Sequence, residues 1–319
     1  MSLPFKQPIS HEQRQWQTAV AKARRTFGFF WRELFWDNQR EQSQLQFAAV
    51  LFEFAEEQDG LLVTERIWLS EIFCDGLNVY GVALNEPQKL RELKHGQYTK
   101  VALKLVEDWM YVLDGRAYGA YTVNLHRAKM APAERNRHDI QWGYDFGDPL
   151  NVQNYPDLNP KSEPEEEPEE EAEPAKFLGM TLAPAKKKDE PAKFFGMTIG
   201  AAKEKADEIL RIELNLRLDH PVALAQQSIF ENYYTNHPEV RMTFDERGLS
   251  PLHAHALAGN RHLVSLLLQL GVPANIEMHD GRTPKDMAKA MHWGHLVSML
   301  ASAERGELPK SEDSAPSAD

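Results

Sequence analysis

At 319 residues, with 42% hydrophobic and 26% charged side chains, the chain is long enough for two ordinary domains and apolar enough to bury a core, which excludes disorder throughout. A single cysteine, Cys74, excludes an internal disulfide framework and a cysteine-rich zinc module and suits a reducing, cytoplasmic compartment. The net charge of −12 is concentrated in two stretches, eight glutamates within Glu163–Glu173 and five acids against two bases in Ala301–Asp319, so the remainder is near neutral and a nucleic-acid-binding face is not expected.

The opening, Met1–Ser10, carries no apolar core of signal-peptide length. Beyond it Trp16, Val20, Ala23, Phe27, Phe30 and Leu34 step by threes and fours, which predicts an amphipathic helix. Trp31, Phe35 and Trp36 enlarge its apolar surface beyond what one buried face needs. Five strand signals follow, at Phe47–Phe54, Arg66–Phe73, Val79–Leu84, Val101–Val106 and Trp109–Leu113. Turn chemistry separates them, with Asp59-Gly60, Asp75-Gly76 and Asp114-Gly115 supplying the left-handed backbone that tight turns require. The expectation is an α+β domain over 1–160, with the first helix against a small antiparallel, barrel-like sheet. A short helix is expected within Tyr118–Lys129, and the aromatics Trp142, Tyr144, Phe146 and Tyr155 mark an ordered segment draped over that domain.

Residues 161–200 are rich in Glu, Pro, Lys and Ala and read as an acidic, flexible linker. Inside it Glu173–Leu182 recurs as Glu190–Ile199, both carrying Glu-Pro-Ala-Lys-Phe-x-Gly-Met-Thr. The duplication is either slippage in a tolerant spacer or a pair of docking segments. The longest apolar runs, Phe47–Phe54 and Leu263–Leu270, fall far short of the roughly 18 residues that span a bilayer, and no membrane association is expected.

The clearest period lies in the last third. Asp245–His253 is echoed by Met278–Asp286, and His262-Leu-Val-Ser265 by His295-Leu-Val-Ser298, both at an offset of 33 residues. Ser250-Pro251-Leu252-His253, the outer-helix leucines Leu263–Leu268 and the Gly271-Val-Pro-Ala-Asn275 turn resemble the ankyrin-repeat family. Ser250 and Thr283 are helix-capping residues followed by proline, and Gly271 is a helix terminator, so the local chemistry agrees. The second copy departs from the pattern, with Lys285-Asp286 in place of Leu-His. Two repeats rarely bury enough core, and helices over Ala206–Leu218 and Val222–Tyr234 are expected to supply a degenerate preceding unit. The resemblance implies an all-α ankyrin-repeat domain over 201–306, followed by an acidic tail, 307–319. It also implies a protein partner held by turn tips and inner-helix face, where Glu246, Arg247, His255, Asn275, Glu277, His279 and Arg282 fall.

A second resemblance concerns Phe47–Arg127. Glu65-Arg-Ile-Trp68, Tyr80-Gly-Val-Ala-Leu-Asn85-Glu-Pro87 and Glu107-Asp108-Trp109-Met-Tyr111 are similar to a bacterial domain family of unknown function exemplified by YegJ. Arg66 departs from the histidine more usual there. The family brings no activity with it. Its pairing with ankyrin repeats implies an accessory or immunity protein of a bacterial toxin system, or an adaptor.

The common enzyme signatures, from phosphate loops to nucleophile elbows, are absent. Cys74 ends an apolar strand, where a buried hydrophobe is expected rather than a nucleophile. His253, His255, His262, His292 and His295 invite a metal reading, but His262 and His295 occupy equivalent repeat positions, so neither metal nor cofactor is expected. The reading is a non-catalytic protein-binding protein acting through its repeats. The competing reading is an enzyme or small-ligand binder with a cleft near Glu65, Trp68, Asp108 and Trp109.

Overall fold

The computed structural model describes residues 10–156, 176–177, 180–181, 193–194, 197–198 and 219–307. The expected helix over Ala206–Leu218, most of the linker and most of the acidic tail lie outside the described residues. The chain divides into two units, one formed by 1–155 together with 218–319 and one by 156–217.

In the larger unit α1 (His11–Asp37) begins at a capping box, with the Ser10 hydroxyl accepting from Gln13 N and the Gln13 side chain accepting from Ser10 N. Six antiparallel strands follow: β1 (Leu45–Gln58), β2 (Leu61–Cys74), β3 (Asn78–Ala83), β4 (Tyr98–Ala102), β5 (Val106–Leu113) and β6 (Arg116–Gly119). Their order in the sheet is β4-β3-β2-β1-β5-β6. Asp59-Gly60 and Asp114-Gly115 turn the β1–β2 and β5–β6 hairpins with positive φ at both residues of each pair, as their chemistry requires.

The barrel-like expectation is corrected, because the sheet stays open and β4 and β6 are its two edges. Segment 145–153 covers the β6 edge instead. Ala117 N donates to the Asp145 carbonyl, Asp145 N to that of Gly115, and Gly119 N to that of Gln153. An edge satisfied in this way has no need of closure. The expected strand Val101–Val106 is interrupted by a 3-10 turn at Leu103–Leu105, and β6 is a sixth strand that its four residues were too few to announce.

Helices α2 (Tyr121–Arg127) and α3 (Pro132–Trp142) precede that covering segment. Phe146 enters a core cluster with Met110, Val112, Ala117 and Ala120. Arg127, buried beneath it, grips the Asp139 carboxylate with two guanidinium nitrogens.

The carboxy-terminal part of this unit is helical: α4 (Pro221–Ala225), α5 (Gln227–Asn236), α6 (Pro251–Ala258), α7 (Arg261–Gln269), α8 (Pro284–Ala290) and α9 (Gly294–Glu304). The sequence period appears as repeated structure. Pairs α6–α7 and α8–α9 begin 33 residues apart, each preceded by a turn with the same closing bond, Asp245 N to the Leu249 carbonyl in one and Met278 N to the Arg282 carbonyl in the other. In the smaller unit each copy of the duplicated segment forms a short antiparallel pair, β7 (Lys176–Phe177) with β8 (Met180–Thr181) and β9 (Lys193–Phe194) with β10 (Met197–Thr198).

Helix α1 is the spine of the larger unit. One face meets the sheet, where Phe30 and Trp109 lie 5.9 Å apart and the Trp109 indole N–H donates to the Ala23 carbonyl at 2.9 Å. The other meets the carboxy-terminal helices, where Phe29 packs edge-on against Trp293 and Glu33 pairs with His220 at 2.9 Å. Two packed faces explain why almost every residue from Phe27 to Asp37 is buried and why the sequence carries aromatics around the whole helix.

Candidate functional site

The seam between α1 and the carboxy-terminal helices is closed by a polar relay. The Trp36 indole N–H donates to Asn260 Oδ1 at 2.9 Å, which fixes the orientation of that amide. Asn260 Nδ2 therefore donates to His255 Nδ1 at 3.1 Å, and the imidazole proton sits on Nε2, 3.0 Å from the Tyr234 hydroxyl. All four side chains are buried. Burial pushes the His255 pKa down to about 3, so the ring is neutral and the relay intact at physiological pH. Asn260 stands at the N-cap position of α7 but makes no side-chain cap, because its amide is committed to this relay.

Beside the relay lies a cleft of about 430 Å³. Trp31 and Phe35 of α1, Phe73 of β2, and Phe230 and Tyr234 of α5 line it, and the turn Thr243–Leu249 and the start of α6 close it. Arg247 roofs one wall, its guanidinium carbon 3.7 Å from the Phe73 ring centre. Phe244, 43% exposed, stands on the rim between His253 and His279, with ring centres 6.2 and 6.5 Å away. An exposed aromatic flanked by arginine and histidine over an aromatic-lined cleft has the composition of a binding anchor.

The expected binding residues separate into three groups. Arg247 and His255 line the cleft, His255 as part of its buried floor. Arg282 is engaged within the chain, its guanidinium bonded to the Asp75 carbonyl and paired with Asp280 at 2.7 Å. Glu246, Asn275, Glu277 and His279 are exposed on the turns. The cleft also uses residues that repeat logic did not supply. Phe244 directly precedes the turn aspartate Asp245, and an aromatic in an otherwise polar turn was the available signal; Trp31, Phe35 and Phe73 lie far away in sequence and gave none.

The four residues of the competing reading do not converge on an open cleft. The Asp108 carboxylate accepts from Trp109 N, Tyr121 N, Thr122 N and the Thr122 hydroxyl, so it caps α2 from the neighbouring strand. Burial pushes its pKa up to about 6 against the pull of those donors. Trp109 is buried beneath α1. Glu65 accepts from the amides of Gln88, Lys89 and Leu90, a staple for the β3–β4 loop that lowers its pKa. Trp68 N donates to Asn85 Oδ1 at 2.9 Å. Cys74 is buried and its thiol is pushed up to about 12, chiefly by desolvation, which leaves it unreactive at neutral pH. Among the described residues, no group of three or more His, Cys, Asp or Glu is placed to hold a metal ion, and no helix is long and apolar enough to cross a membrane.

The geometry thus defines an α+β sheet domain bonded along one helix to a set of helix pairs with a 33-residue repeat. The family model described as "Uncharacterized protein conserved in bacteria (DUF2314)" matches residues 13–146, which take in α1, the sheet, α2 and α3. A protein of Neisseria meningitidis serogroup B whose name calls it an ankyrin repeat protein is 29% identical over 282 residues, spanning 88% of this chain and 91% of that relative. The uncharacterized protein YegJ of Escherichia coli (strain K12) is 31% identical over 61 residues, 19% of this chain and 40% of YegJ. No solved structure matches the chain.

Proposed function

We propose that the protein is a non-catalytic, cytoplasmic protein-binding protein whose ankyrin-type helix pairs and α1 together form the binding site. The observation that carries this reading is the exposed Phe244 on the rim of the aromatic cleft, beside Arg247 and His279. Cleft, rim and exposed turns supply an apolar anchor site inside a polar margin, the anatomy of a protein interface. The ankyrin name of the Neisseria relative, which is similar over most of both chains, supports the same role. The internal commitments of Glu65 and Asp108 favour binding over acid–base chemistry, since each carboxylate already accepts three or more hydrogen bonds. The partner class that the domain combination suggests is a bacterial toxin or effector, with an adaptor's client as the second reading.

The test is affinity purification of the tagged full chain from its host at native expression, with Phe244→Ser and Ala254→Trp variants in parallel. Phe244→Ser removes the rim aromatic, and Ala254→Trp fills the cleft. A stoichiometric partner that is lost from both variants, with melting temperatures near the parent value, is the expected result. A partner retained by both variants overturns this site.

A further inference from the structure

We propose that a second cleft, bounded by α1, the 3-10 turn and the α8–α9 turn, binds a small organic anion with an apolar body. It has a volume of about 890 Å³. Arg24 and Arg25 of α1, Lys104 of the 3-10 turn, Lys289 of α8 and His292 just after it line the cleft, and no carboxylate does. Phe27, Leu77, Leu103 and Val106 supply its apolar wall. Arg25 and Lys104 are exposed and form no ion pair among the described residues, while Arg24 is fixed by donating from Nε to the Val106 carbonyl at 2.6 Å. Lys289 has only a loose pairing with Asp286 at 3.4 Å.

Four cations thus ring one apolar depression, and among the described residues only Lys289 is paired, with Asp286 outside the lining. Low-dielectric walls focus such a field, so the cleft attracts negative charge. The apolar wall excludes a bare inorganic anion as the best occupant, since it would leave that surface unfilled, and the cations exclude a neutral hydrophobe. A phosphate, sulfonate or carboxylate carried on an aromatic or aliphatic body satisfies both, and the volume falls within the ~300–1,000 Å³ typical of such sites.

Isothermal titration of the full-length protein with 1-naphthyl phosphate tests the assignment, with 1-naphthol and inorganic phosphate as the two halves of the ligand. Expected is one-to-one binding of 1-naphthyl phosphate, at least about tenfold tighter than either half. The Arg25→Glu/Lys104→Glu double variant, altered only at exposed positions, is expected to weaken it by about tenfold or more. Ala254→Trp, which fills the aromatic cleft, leaves it unchanged. Binding that survives the double variant, equal binding of either half-ligand, or no heat at millimolar naphthyl phosphate would each overturn the proposal.

Discussion

Asp108 and His255 are both buried titratable groups, and they push the pH dependence of stability in opposite directions. The Asp108 pKa is raised by burial to about 6, so its contribution to stability is fully present below pH ~4 and is lost as the pH rises through 6. Raising the group from the ordinary aspartate value to about 6 corresponds to something on the order of 3 kcal/mol. His255, lowered to about 3, contributes fully above pH ~6.5, and that contribution is lost as the pH falls. The parent protein is therefore expected to show a shallow profile between pH 4 and 6. Replacing Asp108 with asparagine removes one of the two opposing slopes, so the variant should be more destabilised relative to the parent at pH 4 than at pH 7, by up to that same amount. Urea unfolding of both proteins at the two pH values measures it, and a constant difference would show that Asp108 does not titrate in the folded state in this window. The sequence motif singles out Asp108 as a hydrogen-bonding aspartate without showing its partners, since Tyr121 and Thr122 come from the next helix, and it does not show the burial that keeps His255 neutral.

Among the elements, the capping boxes of α6 and α8 show how a departure from a repeat pattern keeps its physics. In α6 the Ser250 hydroxyl donates to His253 Nδ1, while His253 Nε2 reaches the Arg282 carbonyl of the next turn. In α8 the corresponding pair is Thr283 and Asp286, with the threonine amide and hydroxyl both donating to Asp286 Oδ2. Asp286 therefore replaces the histidine in the box but makes no bridge to a following turn, consistent with its place in the last helix pair described. Asp286→Ala is expected to cost about 1 kcal/mol, the usual loss for a cap, measured by thermal or urea unfolding. The caps, the glycine terminators and the Asp-Gly hairpins were legible because each is decided by neighbours within a few residues. The open edge was not, since β6 is short and its covering segment arrives some 30 residues later.

For the whole molecule, the decisive feature is the close approach of α1 to the α8–α9 turn. A Cβ at Gly28 would stand 2.7 Å from the Met291 carbonyl and 2.9 Å from the Trp293 ring, so the seam requires glycine there. Gly28→Leu should separate the two surfaces, lower stability by about 1–3 kcal/mol or more, and split a single unfolding transition into two. Calorimetry of the full chain reads this directly, and a single unshifted transition would show that the seam is not energetically coupled. The sequence displayed the excess of aromatics on α1 without showing what they face, because their partners lie across the linker.

The seam also bears on how the chain is made. The Trp36–Asn260 bond joins residues 224 positions apart, and the Arg282–Asp75 bond 207. At about 5–20 residues per second, Trp31, Phe35 and Trp36 leave the ribosome on the order of 10–50 s before the helices that cover them. During that interval the nascent sheet domain displays an aromatic face of the sort that chaperones retain, and a chain truncated by premature termination near residue 200 would keep it uncovered for good.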